Sequence, residues 1–221
     1  MQGEYVDHPL PPETEGMVVF ITGTGCYLRA LIDTPEKAAC ILRVAPQGKG
    51  YYITHGGYQA DFRPTSELIS HIKIHHYMVE SGSTHRAIVH THPLELIVLS
   101  HLPQLFNDEE LLNHTLWKMC PEIFVFVPKG VGCCPYRTPS SVALADATLA
   151  SLANRDVILW EKHGALATGE DVEKAFDYLD VANKGAKMYL MAKAAGFEPE
   201  GLSQKQMKDL EVFTHRPQAE K

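Results

Sequence analysis

Apolar positions along this chain fall into short runs separated by amphipathic stretches, the alternation expected of an α/β protein. Residues 17–21 (Met-Val-Val-Phe-Ile), 38–44 and 51–54 read as strands, the last two joined by the turn Pro46-Gln47-Gly48-Lys49-Gly50. Pro64-Thr65-Ser66-Glu67 predicts a helix start with a hydroxyl cap and an acidic first turn, running to about residue 80 with Leu68, Ile72 and Val79 on its apolar stripe. An apolar run ending in His90-Thr91-His92 reads as another strand. Pro93 then opens a helix over Leu94, Leu96, Ile97, Val98 and Leu99 that is too apolar to be exposed. Residues 107–118 form an amphipathic helix, and Ile123-Phe124-Val125-Phe126-Val127 has the length and composition of a buried strand. Ser140 or Ser141 caps a helix running through Ala153, and residues 156–160 form a further buried strand. Gly169-Glu170-Asp171 starts a long helix to about residue 195 that Gly196 stops, and residues 203–213 form a short helix before a polar tail. Residues 1–16, rich in proline and acid, read as an extended or disordered lead-in. Without an internal repeat or linker, residues 17–221 are expected to form a single α/β domain.

Composition narrows the function classes. The 221 residues are 45% hydrophobic and 21% charged, an ordinary globular profile. The formal net charge is -7 with no Lys/Arg cluster, which argues against a nucleic-acid partner, since phosphate neutralisation needs a basic face. The five cysteines are odd in number and lack Cys-x-x-Cys spacing, and the amino terminus has no apolar signal segment. Reduced thiols and a cytoplasmic location are therefore expected, and no apolar stretch is long enough to imply a membrane partner.

Histidines supply the candidate chemistry. In a strand, alternate residues share a face about 6.6 Å apart, so His90 and His92 point the same way and can hold one ion from a rigid element. A third ligand is needed. His163, just past the end of the 156–160 strand and followed by a glycine that allows close backbone approach, is the candidate. Three imidazoles with an open fourth position suit a catalytic zinc, a Lewis acid that stabilises an enediolate. Such chemistry needs a proton carrier, and Glu67 or Glu122 can supply one. Glu67 also has a plain reading, as an acid favoured near a helix start. His71 and His75 are four apart, so one metal could bridge them, but nothing fixes a third ligand and packing or surface histidines are the simpler account. Thr22-Gly23-Thr24-Gly25 is a glycine turn between strands or, with its hydroxyls and unencumbered amides, an anion cradle.

Taken together, several stretches resemble the class II aldolase and adducin superfamily, most closely its rhamnulose-1-phosphate aldolases. They are Phe20-Ile21-Thr22-Gly23-Thr24-Gly25, Pro64-Thr65-Ser66-Glu67-Leu68, Ile88-Val89-His90-Thr91-His92, Leu116-Trp117 with Glu122, Pro128-Lys129-Gly130-Val131-Gly132 and Leu159-Trp160-Glu161-Lys162-His163-Gly164. The resemblance implies an α/β/α three-layer sandwich around a largely antiparallel central sheet, assembled as a C4 homotetramer. It implies that His90, His92 and His163 bind one zinc ion and that Glu67 is the general base and acid. Thr24, Gly25, Thr65 and Ser66 would surround the substrate phosphate, favouring the cradle over the turn. Glu122 would assist proton transfer at a neighbouring subunit's site. The implied reaction is cleavage of L-rhamnulose 1-phosphate, a phosphorylated ketose, to dihydroxyacetone phosphate and L-lactaldehyde. The family's amino-terminal helical region and Gly-Asn phosphate-contacting turn have no counterpart in residues 1–16, so the chain is expected to lack that part of the pocket. The competing readings are an L-fuculose-phosphate aldolase, a pentulose-phosphate 4-epimerase, and a non-catalytic scaffold like the adducin head, which predicts lost metal ligands.

Overall fold

The strands of the computed structural model, which describes residues 3–214, form two four-stranded sheets. Each sheet lies within one of two units of the chain. The first unit runs through Ser81 and takes in Arg137–Asp146; the second holds Gly82–Tyr136 and resumes at Ala147. Five of the six strand pairings are antiparallel, in keeping with the α/β expectation.

In the first unit the sheet order is β1-β4-β3-β2, with β1 at Glu4–Val6, β2 at Val18–Thr22, β3 at Ala39–Val44 and β4 at Tyr51–Gly56. Short helices α1 (Ala30–Asp33) and α2 (Pro35–Ala38) connect β2 to β3, and α3 (Leu68–Glu80) follows β4. Alternation along β2 sends Val19 and Ile21 into a core with Leu42, Val44, Leu68 and Ile72, and leaves Val18 and Phe20 exposed, as an edge strand with one wet face requires. The lead-in departs from expectation. Glu4, Tyr5 and Val6 pair with Ile53, Tyr52 and Tyr51, and Leu10 is buried with its N–H donating to Gly48 O at 2.8 Å. Proline and acid content obscured a strand whose partner is distant in sequence. Val79 also departs from expectation: it is 62% exposed, and the buried row in the later turns of α3 is Ile74 and Met78, four apart. Met1, Gln2 and the polar tail beyond Thr214 lie outside the described residues.

In the second unit the elements are β5 (Ala87–Thr91), α4 (Leu94–Leu99), α5 (Pro103–Phe106), α6 (Glu109–Trp117), α7 (Pro121–Phe126), β6 (Val131–Cys134), α8 (Val142–Leu152, whose first residues belong to the other unit), β7 (Val157–Trp160), β8 (Gly164–Gly169), α9 (Val172–Ala194) and α10 (Gln204–Thr214). The sheet order is β5-β8-β7-β6, so β8 and β7 are central and wholly buried. The expected strand at residues 123–127 is instead the helix α7 and the residue that follows it. Pro121 sits at its first position after an extended Cys120. The buried residues Ile123 and Val127 are then four apart, a helical row that a five-residue apolar run does not reveal. The edge strand is β6, four residues further on. Helix α4 buries Leu96 and Leu99 but exposes Leu94 and Val98, so it is two-faced rather than wholly enclosed. Asp108 and Asp171 cap α6 and α9 by accepting from the N–H groups of Leu111 and Lys174. Among the described residues, no helix is long and apolar enough to cross a membrane.

Candidate functional site

The end of β5, the end of β7 and the start of β8 bring the three histidines together. Ligand atoms of His90, His92 and His163 lie within 4.8 Å of one another, and the ring centroids are 5.0, 5.2 and 5.4 Å apart. A zinc ion bonded to imidazoles at about 2.0–2.1 Å needs ligand atoms about 3.3 Å apart, so the rings would draw inward to hold one. His90 Nδ1 lies 2.9 Å from Ala165 O, and a carbonyl only accepts, so Nδ1 carries the proton and Nε2 carries the lone pair. That backbone bond orients the ring as metal-ligating histidines require. His92 is exposed while His90 and His163 are half-buried, so the cluster opens on one side. A donor set of neutral imidazoles with an open face fits a catalytic divalent ion. The cysteines are poor competitors for it: burial pushes the Cys40 thiol up to about 11 and the Cys133 thiol to about 12.

His163 owes its position to the β7–β8 hairpin. Trp160 pairs with Gly164, leaving the three-residue loop Glu161-Lys162-His163. Lys162 adopts the left-handed conformation (φ 58°) that closes such a loop, and its N–H donates to the buried Ser100 Oγ at 2.8 Å. Glu161 accepts from Tyr136 N–H at 2.9 Å and from Lys162 Nζ at 2.7 Å. The Lys162 ammonium first, then the Tyr136 amide, hold the Glu161 carboxyl below its usual range. Gly164 is required by space: an added Cβ would meet Thr91 O at 2.7 Å, His92 Cδ2 at 2.8 Å and His90 Cε1 at 2.9 Å. The close approach expected of this glycine is therefore an approach to the histidine rings themselves.

In the first unit, Gly23 bridges Pro64, Thr65 N–H donates to Thr22 O at 2.8 Å, and Thr24 N–H donates to Arg63 O at 2.9 Å. These bonds lay the turn at residues 22–25 beside Pro64, Thr65 and Ser66. The Gly23 and Thr24 amides, expected to be unencumbered, are engaged, Gly23 N–H by Ala38 O at 2.8 Å, while the Thr65 hydroxyl, which accepts from Glu67 N–H at 3.3 Å, and the Thr24 hydroxyl can still donate to an anion. Gly25 has φ 69° with open space around it. Glu67 is 4% exposed and is the N-cap residue of α3 rather than part of its first turn, and its carboxylate makes no cap bond. Both its oxygens instead accept from Ser140 N–H at 3.0 Å, and the Ser140 hydroxyl lies 3.4 Å from Oε1. Ser140 takes a left-handed conformation (φ 64°). The plain reading of Glu67 as a helix-start acid does not explain a carboxylate turned away from the helix amides.

Glu122 is exposed on α7 and is not part of the histidine group. Its own amide, the Cys120 thiol and Lys184 hold its carboxyl below the usual range. His71 and His75 gather no third ligand, and the one three-ligand group among the described residues is the triad above. Burial lowers both to about 4, His71 also through His75, so they are neutral packing residues. His76 lies 4.0 Å from Glu80 on the same helix. Three contributors escaped the sequence reading. In the sequence Ser140 signals only a helix cap. The Ala165 carbonyl belongs to a strand that went unrecognised. Ser100 had no motif to mark it.

Residues 12–190 match the family described as the Class II Aldolase and Adducin N-terminal domain. A rhamnulose-1-phosphate aldolase from Bacteroides thetaiotaomicron is 40% identical over 206 residues, covering 93% of this chain and 75% of that protein. One from Mannheimia succiniciproducens is 34% identical over 177 residues, covering 80% of this chain and 64% of that protein. Among solved structures, a sugar-phosphate aldolase from Thermotoga maritima superposes with a TM-score of 0.69 at 32% identity, over 89% of this chain and 86% of that one. An L-fuculose 1-phosphate aldolase superposes with a TM-score of 0.62 at 22% identity, over 92% and 88%, a likeness of fold alone.

Proposed function

Because the chain belongs to the class II aldolase and adducin N-terminal domain family and is a class II aldolase lyase, we propose that it cleaves L-rhamnulose 1-phosphate to dihydroxyacetone phosphate and L-lactaldehyde. The observation that carries this reading is the intact histidine triad in a chain 40% identical to a rhamnulose-1-phosphate aldolase. A scaffold would have no use for three imidazoles gathered on one open face.

His90, His92 and His163 hold zinc in this proposal, and the bound ion supplies a Lewis acid for the oxygens of the ketose. The His90–Ala165 bond keeps the ring in the tautomer that ligation needs. Thr24, Gly25, Thr65 and Ser66 receive the phosphate, the two threonines through their hydroxyls. Glu67, as general base, takes the proton of the C4 hydroxyl; the C4 oxygen becomes a carbonyl as the C3–C4 bond breaks and its electrons pass toward C2, giving L-lactaldehyde and an enediolate. Glu67 then delivers a proton to C3 of the enediolate, which becomes dihydroxyacetone phosphate. The Ser140 amide and hydroxyl hold that carboxylate in one orientation for the transfer. Glu122, exposed on α7, serves the aldehyde oxygen at a neighbouring subunit's site within a homotetramer. A cytoplasmic location accords with five free cysteines.

The test is dihydroxyacetone phosphate release by the zinc-loaded protein from L-rhamnulose 1-phosphate, with L-fuculose 1-phosphate and a pentulose phosphate alongside. Release from rhamnulose 1-phosphate that chelation abolishes and zinc restores is expected. A folded, zinc-loaded protein that turns over another stereoisomer instead, or none, overturns the proposal.

A further inference from the structure

Trp160 ends β7, 1% exposed, immediately before the loop that carries His163. Its ring centroid lies 4.4 Å from that of His90 at 39° and 5.1 Å from that of His163 at 32°. One indole therefore touches two of the three histidines, His90 on β5 and His163 in the β7–β8 loop. The indole is itself anchored, its Nε1–H donating to Thr148 Oγ1 at 2.9 Å, and Thr148 is 0% exposed. A large core residue in a buried strand needs no special role, and packing alone would account for its burial. What packing alone does not require is an indole laid at shallow tilt against two imidazoles, with its one polar atom turned away from them to a buried hydroxyl.

The physical consequences are two. A rigid aromatic surface against an imidazole restricts rotation of that ring, so the ligand planes are set before an ion arrives. An imidazole that ligates a divalent cation gains positive charge, which an indole π system attracts as it does in cation–π pairs. We infer that Trp160 is a positioning residue of the metal centre, fixing the ring planes of His90 and His163 and so setting the affinity and coordination geometry of the bound ion. The inference rests on the reading of the three histidines as metal ligands, and the experiment below separates the failure of one from the failure of the other.

Metal-stripped protein is titrated with Co²⁺, following its visible absorption bands and its dissociation constant by chelator competition. Trp160→Leu should bind about 10–100-fold more weakly, the loss typical of a supporting residue, with an altered band shape. Trp160→Phe, which keeps an aromatic face, should restore the native bands. Val157→Ala on the same strand, a core truncation away from the rings, should lower the melting temperature yet keep the native bands and affinity. If Trp160→Leu does not fold, Thr148→Val decides, because it frees the indole from its anchor; weaker binding with shifted bands is expected. Native bands and affinity in whichever of these two variants is folded overturn the inference. If the unaltered protein binds no stoichiometric Co²⁺ and His90→Ala is indistinguishable from it, the ligand assignment fails and this inference with it.

Discussion

Replacing Gly164 by alanine tests the geometry of the proposed metal site more directly than deleting a histidine. The new methyl would stand 2.7 Å from Thr91 O, 2.8 Å from His92 Cδ2 and 2.9 Å from His90 Cε1, that is 0.5–0.7 Å inside the 3.4 Å at which ordinary contact begins. The carbonyl belongs to β5, paired with β8 through five registered positions, so the backbone resists moving and the two rings must give. Overpacking of this kind costs about 1–3 kcal/mol. At about 2–4 °C per kcal/mol for a chain of this size, the metal-free protein should melt about 2–12 °C lower. Displaced rings should also weaken metal binding, by about 10–100-fold if the effect matches loss of a supporting contact. Gly169→Ala is the matched control. Its methyl would meet Ala175 N at 2.6 Å and Asp171 O at 2.9 Å, a comparable clash at the far end of the same strand. Thermal melts of the stripped proteins and Co²⁺ titrations of each should show both variants destabilised but only Gly164→Ala impaired in binding. Equal affinity in Gly164→Ala and the parent protein would refute the claim that this glycine exists to admit the ligand rings.

Glu67→Gln removes the proposed proton carrier while keeping an oxygen for Ser140 N–H. Its turnover should fall by at least about 10²-fold with Co²⁺ affinity unchanged, and retained turnover would remove Glu67 from the mechanism. His71 and His75 make stability pH-dependent. Their folded values of about 4 lie below the unfolded 6.5, so the unfolded chain binds more protons between those limits. Their contribution is complete above pH 6.5 and is lost as pH falls toward 4. The upper bound is about 3 kcal/mol per histidine, trimmed because both rings keep some surface accessible. Urea midpoints at pH 7.5 and 4.5 should differ less in a His71→Gln/His75→Gln double variant than in the parent; equal differences would contradict the assignment.

How far the chain could be read from its sequence followed the strength of local signals. Strands with β-branched or large apolar residues, such as β2, β3 and β7, were legible, as was the long helix α9 with its aspartate cap. The run at residues 123–127 misled because five apolar residues satisfy a buried strand and one buried helical row equally well, and Pro121 tipped the balance only once Cys120 was seen to be extended. The histidine cluster was half legible. His90 and His92 declared themselves by strand period, whereas His163 needed a family resemblance to join them, because hairpin closure is a long-range fact. Ser140's hold on Glu67 spans 73 residues and left no local trace.

The strand that mattered most was the least visible. β8 reads Gly-Ala-Leu-Ala-Thr-Gly, nearly devoid of residues that favour strands, yet it is buried along its whole length between β5 and β7. Its composition follows from its neighbours. Gly164 yields to the histidine rings, Gly169 yields to the first turn of α9, and Ala165 and Ala167 are fully buried. Because the strand period is two residues, a slip of one position against β5 would turn His90 away from the Ala165 carbonyl and carry the glycine gap away from the rings. The glycines at the two ends forbid that slip, since any shift drives a Cβ into backbone on one side or the other. The same small residues that erase β8 from a propensity reading therefore lock the register on which the histidine cluster depends. Because the two clashes lie at opposite ends of β8 and share no partner, the stability losses of Gly164→Ala and Gly169→Ala should add in the double variant, while its Co²⁺ affinity should match that of Gly164→Ala alone.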